Sequence, residues 1–182
     1  VRVIPCAYQR RYLRWAPQDA GGGYKGEFSP IEVETGKLAG ATQDSTGQWT
    51  IEGDELKDTR NHFVLALSES GSWQPALVSL TSTQIKKSKR WMSRIQGIEL
   101  KDSNGRPFTP PSFSHVYTLK PVKEENSKGA WWGIEIELDS PVADAEAYAK
   151  AKAFHCSVAS GDVEVQMPEP VIESAVDKEE RF

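Results

Sequence analysis

Between Thr83 and Gln96 the chain has no acidic residue, although acids outnumber bases over its 182 residues by 26 to 22. Other absences narrow the function classes. There are only two cysteines, Cys6 and Cys156, far apart and without CxxC spacing. A zinc site built from this chain alone is therefore not expected, and both thiols read as buried and free in a reducing compartment. The three histidines, His62, His115 and His155, carry no HExxH, no Ser/His/Asp pattern and no metal spacing. Three consecutive glycines at 21–23 lack the G-x-x-x-x-G-K-[ST] order of a phosphate loop. They read as a mobile loop that carries Tyr24 and Lys25 against a ligand. No apolar run approaches membrane-spanning length and no signal-peptide pattern opens the chain. The chain starts at Val1 without Met, already in strand-like residues, which leaves room for natural sequence ahead of it.

What is present begins with the acid-free stretch. It holds Lys86, Lys87, Lys89, Arg90 and Arg94. At helical pitch Ile85, Met92 and Ile95, with Ser88 between them, fall on one side and face a core. Lys86, Arg90 and Arg94 form an i, i+4, i+8 row, with Lys87 and Trp91 on an adjoining face. Thr81, Ser82 or Thr83 caps the start and Gly97 stops the end. A solvated surface helix would interleave acids for i, i+4 support. Here repulsion stays uncompensated until an anion arrives, so the helix is expected to bind one.

Charge is uneven elsewhere too. Residues 161–182 hold seven acids against Lys178 and Arg181, a net −5, so the whole-chain value of −4 leaves residues 1–160 at +1. The chain divides accordingly into a near-neutral body with local basic patches, 1–160, and an acidic tail, 161–182, expected to be disordered.

Residues 1–15 read as a strand or strand pair with a break near Pro5. Tyr8, Arg10, Tyr12 and Arg14 share one face, and Arg11, Leu13 and Trp15 the other. That pattern suits stacked bases and phosphates, or equally an antiparallel strand whose arginines are solvated. Residues 30–60 read as polar and turn-rich, with a short strand at 48–52. Strands at 62–67 and 73–80 flank a serine-rich turn, and those at 113–122 and 130–138 flank a polar one. Pro141 is expected to open a helix over 142–158. Strands, one internal helix, more strands and a terminal helix give a mainly-β fold, a β-barrel of OB-fold type. An α+β sandwich is the alternative.

Aromatics interleave with cations at Tyr8–Trp15, at Trp91, and at Lys128 ahead of Trp131 and Trp132. Of the six tryptophans, Trp15, Trp91 and Trp131 are expected at the surface, and Trp49, Trp73 and Trp132 partly in the core. The expected DNA-binding set is Tyr8, Arg10, Tyr12, Arg14, Trp15, Lys86, Lys87, Lys89, Arg90, Trp91, Arg94, Lys128 and Trp131. No catalytic residue, cofactor or metal is expected. Glu135 and Glu137 share a strand face, as a metal-dependent nuclease would require, but alternation on an exposed face gives the same pattern.

Two blocks, Trp73–Met92 and Lys123–Gly133, resemble proteins of tailed bacteriophages associated with single-stranded DNA binding during replication; the resemblance spans residues 60–160. The tail is similar in type to that of T7-type phage single-stranded DNA-binding proteins, OB-fold proteins whose acidic end terminates in Phe. The resemblance implies sequence-tolerant single-strand binding in phage DNA replication and recombination, in the cytoplasm of the infected bacterium. It also implies that Asp177, Glu179, Glu180 and Phe182 compete with DNA and contact replication proteins. Partners are then single-stranded DNA and replication proteins, with self-association left open and no membrane. The alternative is a protein-binding adaptor or regulator that uses the basic helix 83–96.

Overall fold

A computed structural model describes residues 1–127 and 129–163. In chain order its elements are β1 (Arg2–Trp15), β2 (Tyr24–Phe28), α1 (Pro30–Glu34), β3 (Ala41–Gln43), β4 (Trp49–Ile51), β5 (Asp54–Leu67) and β6 (Trp73–Thr81). Then follow α2 (Ile85–Gln96), β7 (Leu100–Lys101), β8 (Pro107–Phe108), β9 (His115–Asn126), β10 (Gly129–Pro141) and α3 (Ala145–Ser160). The mainly-β, OB-like class expected from the sequence holds, with one longer helix inside the strand order and one after it. The expected tail lies outside the described residues.

The described residues form two compact units. The first is Val1–Tyr12 with the chain from Asp58 onward, and the second is Leu13–Lys57. β1 and β5 contribute residues to both.

In the first unit the strand order is β10-β9-β1-β5, and β6 pairs with β5. The β5–β6 hairpin runs from Leu67↔Trp73 to Thr59↔Thr81. The β9–β10 hairpin runs from Asn126↔Gly129 to His115↔Pro141, with a register shift between Leu138 and Ser140. β1 joins β9 at Arg2↔Thr118 and Val3↔Tyr117. Side chains alternate across these strands, and both faces are covered. Ile4, Cys6, Leu65 and Val116 pack with Ala147 and Ala151 of α3 on one face. Val3, Val64, Tyr117 and Leu119 pack with Trp91 and Ile95 of α2 on the other. This explains why 62–67 reads as an unbroken apolar run: neither side of that strand meets water.

In the second unit β4 pairs with the start of β5 through Ile51↔Asp54 and with β3 through Ala41↔Ile51. Glu52 and Gly53 make the turn with φ of 51° and 86°, the left-handed pair that a two-residue hairpin demands. α1 opens with a capping box, Ser29 Oγ accepting from Glu32 N–H and Glu32 accepting from Ser29 N–H. Val33, Leu13, Ile51 and Leu56 are buried.

Several expectations need correction. β1 is continuous through Pro5. Residues 30–60 hold α1, β3, β4 and the first part of β5 in place of a mostly irregular stretch. β10 runs on through Pro141, so the last helix starts at Ala145, where the Asp144 side chain accepts from Glu146 N–H at 2.9 Å. Cys6 is buried, its thiol pushed up to about 12 by desolvation, but Cys156 is exposed on α3.

Candidate nucleic-acid interface

α2 exists because its buried stripe, Ser88, Trp91 and Ile95, recurs at i, i+3 and i+7. Trp91 is its anchor. The indole is only 2% exposed; it stacks on His62 with ring centroids 4.5 Å apart and meets Tyr117 edge-on at 5.7 Å. Trp91 therefore does not offer a face to a ligand base, and the expectation of an exposed Trp91 is corrected. Ser88 Oγ lies 2.8 Å from His62 Nε2 in the same interface. Burial pushes the His62 imidazole down to about 4, so it is neutral at physiological pH.

With Trp91 inward, the cations are turned outward. Lys86, Lys89, Arg90 and Arg94 are exposed. Among the described residues, Lys86, Lys89 and Arg90 have no ion-pair partner, while Lys87 pairs with Glu124. Glu124 also accepts from Gln84 Nε2 and from the Trp131 indole N–H, each at 2.8 Å. Lys87 first, then these two donors, holds its carboxyl below the usual range. Trp131 is thus half-buried and tied to α2's neighbour. Two further contacts fasten α2 to the sheet edge. Gln84 Oε1 accepts from Ile134 N–H at 3.1 Å, and Arg94 Nη1 donates to the Ile136 carbonyl at 3.1 Å. Beside them lies a groove of about 360 Å³ lined by Lys87, Arg90, Arg94, Val122, Ile134 and Glu135, among others.

Trp132, expected on the core face, is 73% exposed. Its strand is the edge of the sheet, and the apolar cluster under α2 takes in Ile134 and Ile136 but not Trp132. Lys128, expected to join this region, lies outside the described residues, as do Asp177, Glu179, Glu180 and Phe182.

The β1 residues serve a different purpose from the one expected. In the first unit Arg10 grips Asp58 through Nε and Nη2 at 3.1 and 2.8 Å and donates to Tyr12 Oη at 3.0 Å. Tyr12 is itself buried. Arg60 donates to Asp58 at 2.9 Å and to Tyr8 Oη at 3.0 Å, and Tyr8 leans on His62 with centroids 5.1 Å apart. In the second unit Arg14 meets Asp54 at 2.5 Å and Glu52 at 2.8 Å. Lys25 adds a contact to Asp54 at 3.0 Å, and Tyr24 meets Trp15 edge-on at 5.7 Å. Arg10 and Arg14 are therefore cross-strand ion-pair partners, not solvated cations, and the aromatics pack on neighbours. The strand alternation was legible; the acids answering it, Asp58 for Arg10 and Asp54 for Arg14, sit 48 and 40 residues on, where local patterning gives no sign of the pairing.

Of the nuclease pair, Glu137 contacts Lys120 at 2.5 Å. Among the described residues no group of three or more His, Cys, Asp or Glu is placed to hold a metal ion, and no helix is long and apolar enough to cross a membrane.

Comparison with known proteins adds one result. No curated protein and no solved structure matches the chain. The sequence profile of one phage family, described as Pam3 phage gp34-like protein, matches residues 1–164, most of the chain, and the protein belongs to that family.

Proposed function

We propose that this phage protein binds single-stranded DNA sequence-tolerantly during replication and recombination, without turnover. The observation that carries the proposal is the outward ridge of α2. Lys86, Lys89 and Arg90 are exposed with no ion-pair partner among the described residues, and Trp132 is exposed on β10, the strand that α2 contacts. Single-strand binders combine a positive track for phosphates with aromatic faces for bases. Phosphate contacts fall to Lys86, Lys89, Arg90 and Arg94, and stacking to Trp132 with Trp131 beside it. The acidic segment 161–182 supplies the contact for replication proteins.

Titrating an oligodeoxynucleotide against tryptophan emission at increasing salt tests this. Quenching at low salt is expected, with log affinity falling against log salt at a slope of about −3 for four phosphate contacts. The triple variant K86Q/K89Q/R90Q should fold normally, since it relieves like-charge repulsion, and should lose binding. No quenching at low salt, or full binding by the triple variant, overturns the proposal. An α2 that ignores DNA but holds an acidic protein would make the chain an adaptor.

A further inference from the structure

The groove beside α2 has a chemistry that a track for phosphates alone does not explain. Phosphate recognition needs cations, and Arg90 and Arg94 supply them, yet two carboxylates, Glu124 and Glu135, also line it. Their situations differ. Glu124 is fully occupied by Lys87, Gln84 and Trp131. Glu135 is exposed, and its charge is felt by Lys120, its cross-strand neighbour. That lysine makes its hydrogen bond to Glu137, so no hydrogen bond or ion pair to a described residue uses the Glu135 carboxylate. The rest of the wall is apolar, from Val122, Ile134 and Ile136. At about 360 Å³ the groove falls within the roughly 300–1,000 Å³ typical of small-ligand sites.

An ionised carboxylate only accepts hydrogen bonds. It therefore welcomes a base edge that donates and repels one that accepts. Cytosine, adenine and guanine each carry an exocyclic amine, and Glu accepts from cytosine N4 in direct base readout. Thymine presents two carbonyl oxygens around a single N–H. Arg90 and Arg94, the apolar wall and Glu135 line one groove, so a single nucleotide has room to meet a cation, an apolar face and a carboxylate together.

Resting on the single-strand reading above, we infer that this groove is a nucleotide subsite in which Glu135 selects amine-bearing bases over thymine. The binding is thus sequence-tolerant along the ridge and biased at one position. This runs against expectation for a purely stacking binder, whose preferences follow base stacking and strand flexibility.

The test compares oligodeoxycytidylate with oligodeoxythymidylate of equal length at pH 7.5 and fixed low salt, by fluorescence titration of the full chain and of Glu135→Gln. The cytidylate should bind about fivefold tighter, the low end of one base contact. In Glu135→Gln the two affinities should converge, because an amide donates as well as accepts. Equal affinities in the unsubstituted protein, with binding intact, overturn this inference and leave the function reading standing. A preference that survives Glu135→Gln also overturns it. No binding to either strand takes down both readings.

Discussion

Tyr117 carries a hydroxyl that no described residue bonds. The side chain is fully buried, its Oη has no hydrogen-bond partner among the described residues, and burial pushes its ionisation up to about 12. A buried polar atom without a partner costs about 1–3 kcal/mol. Tyr117→Phe keeps the ring against Trp91 and removes the stranded group, so it should be neutral or stabilising by up to about 1 kcal/mol. A shifted urea midpoint reads this directly, and a clear loss would mean that the hydroxyl is satisfied after all. His62 gives a pH signature. Its folded value is near 4 against an ordinary 6.5, lowered by burial. Between those values the unfolded chain binds more protons, so stability is full above about 6.5 and drains away as pH falls towards 4, by about 3 kcal/mol. His115 shifts in the same direction for the same reason. Melting temperatures from pH 7 to 4 should therefore drop steeply in the wild type and less in His62→Gln; an unchanged slope would remove His62 as the source.

At the scale of elements, one carboxylate, Glu124, gathers three of the contacts at the junction of α2 with β10. Gly133 matters here for space. A Cβ at that position would lie 2.5 Å from Glu124 Oε2 and 2.9 Å from Gln84 Nε2. Those atoms are not free to swing away, because Lys87, Gln84 and Trp131 converge on Glu124. Gly133→Ala should cost about 1–3 kcal/mol by overpacking and change the emission of Trp131. Stability and spectrum unchanged together would show that the junction yields easily. This junction also marks what the sequence could convey. The helix and its basic row were readable from spacing within fourteen residues. Which of two adjacent faces went inward was not, because Trp91 suits a core or a surface equally. The deciding partner, His62, lies 29 positions earlier. Trp132 misled for the converse reason: strict alternation assigned it to the core side, but the helix covering that side reaches Ile134 and Ile136 and leaves Trp132 uncovered.

For the whole molecule, charge separation is the governing feature. Residues 1–160 sum to +1 and residues 161–182 to −5. On the proposed single-strand reading, a negative segment tethered to the same chain as an exposed cationic ridge should compete with an incoming strand through its high effective concentration. Removing residues 164–182 leaves the α3 cap intact, because Gly161 and the Asp162–Ser157 bond lie before the cut. That deletion should tighten oligonucleotide binding several-fold at low salt, with the gain fading as salt screens the attraction. Equal affinities with and without the segment would separate it from the ridge. The second unit was the least legible part of the chain. Its strands are three residues long where they pair as β3 and β4, too short for a period to declare itself, and its order rests on Asp54 with Arg14 and Lys25.

β10 ends the sheet, and a bare edge of thirteen residues is an open template on which another chain can add itself. The bonds from Gln84 to Ile134 N–H and from Arg94 to the Ile136 carbonyl occupy the places that a neighbouring strand would take. One side chain just ahead of α2 and one within it thus act as a stopper against runaway polymer growth. The stopper and the ridge share a residue: on the proposed single-strand reading, a phosphate that drew Arg94 away would uncover the Ile136 carbonyl and tie occupancy of one surface to the stickiness of the other.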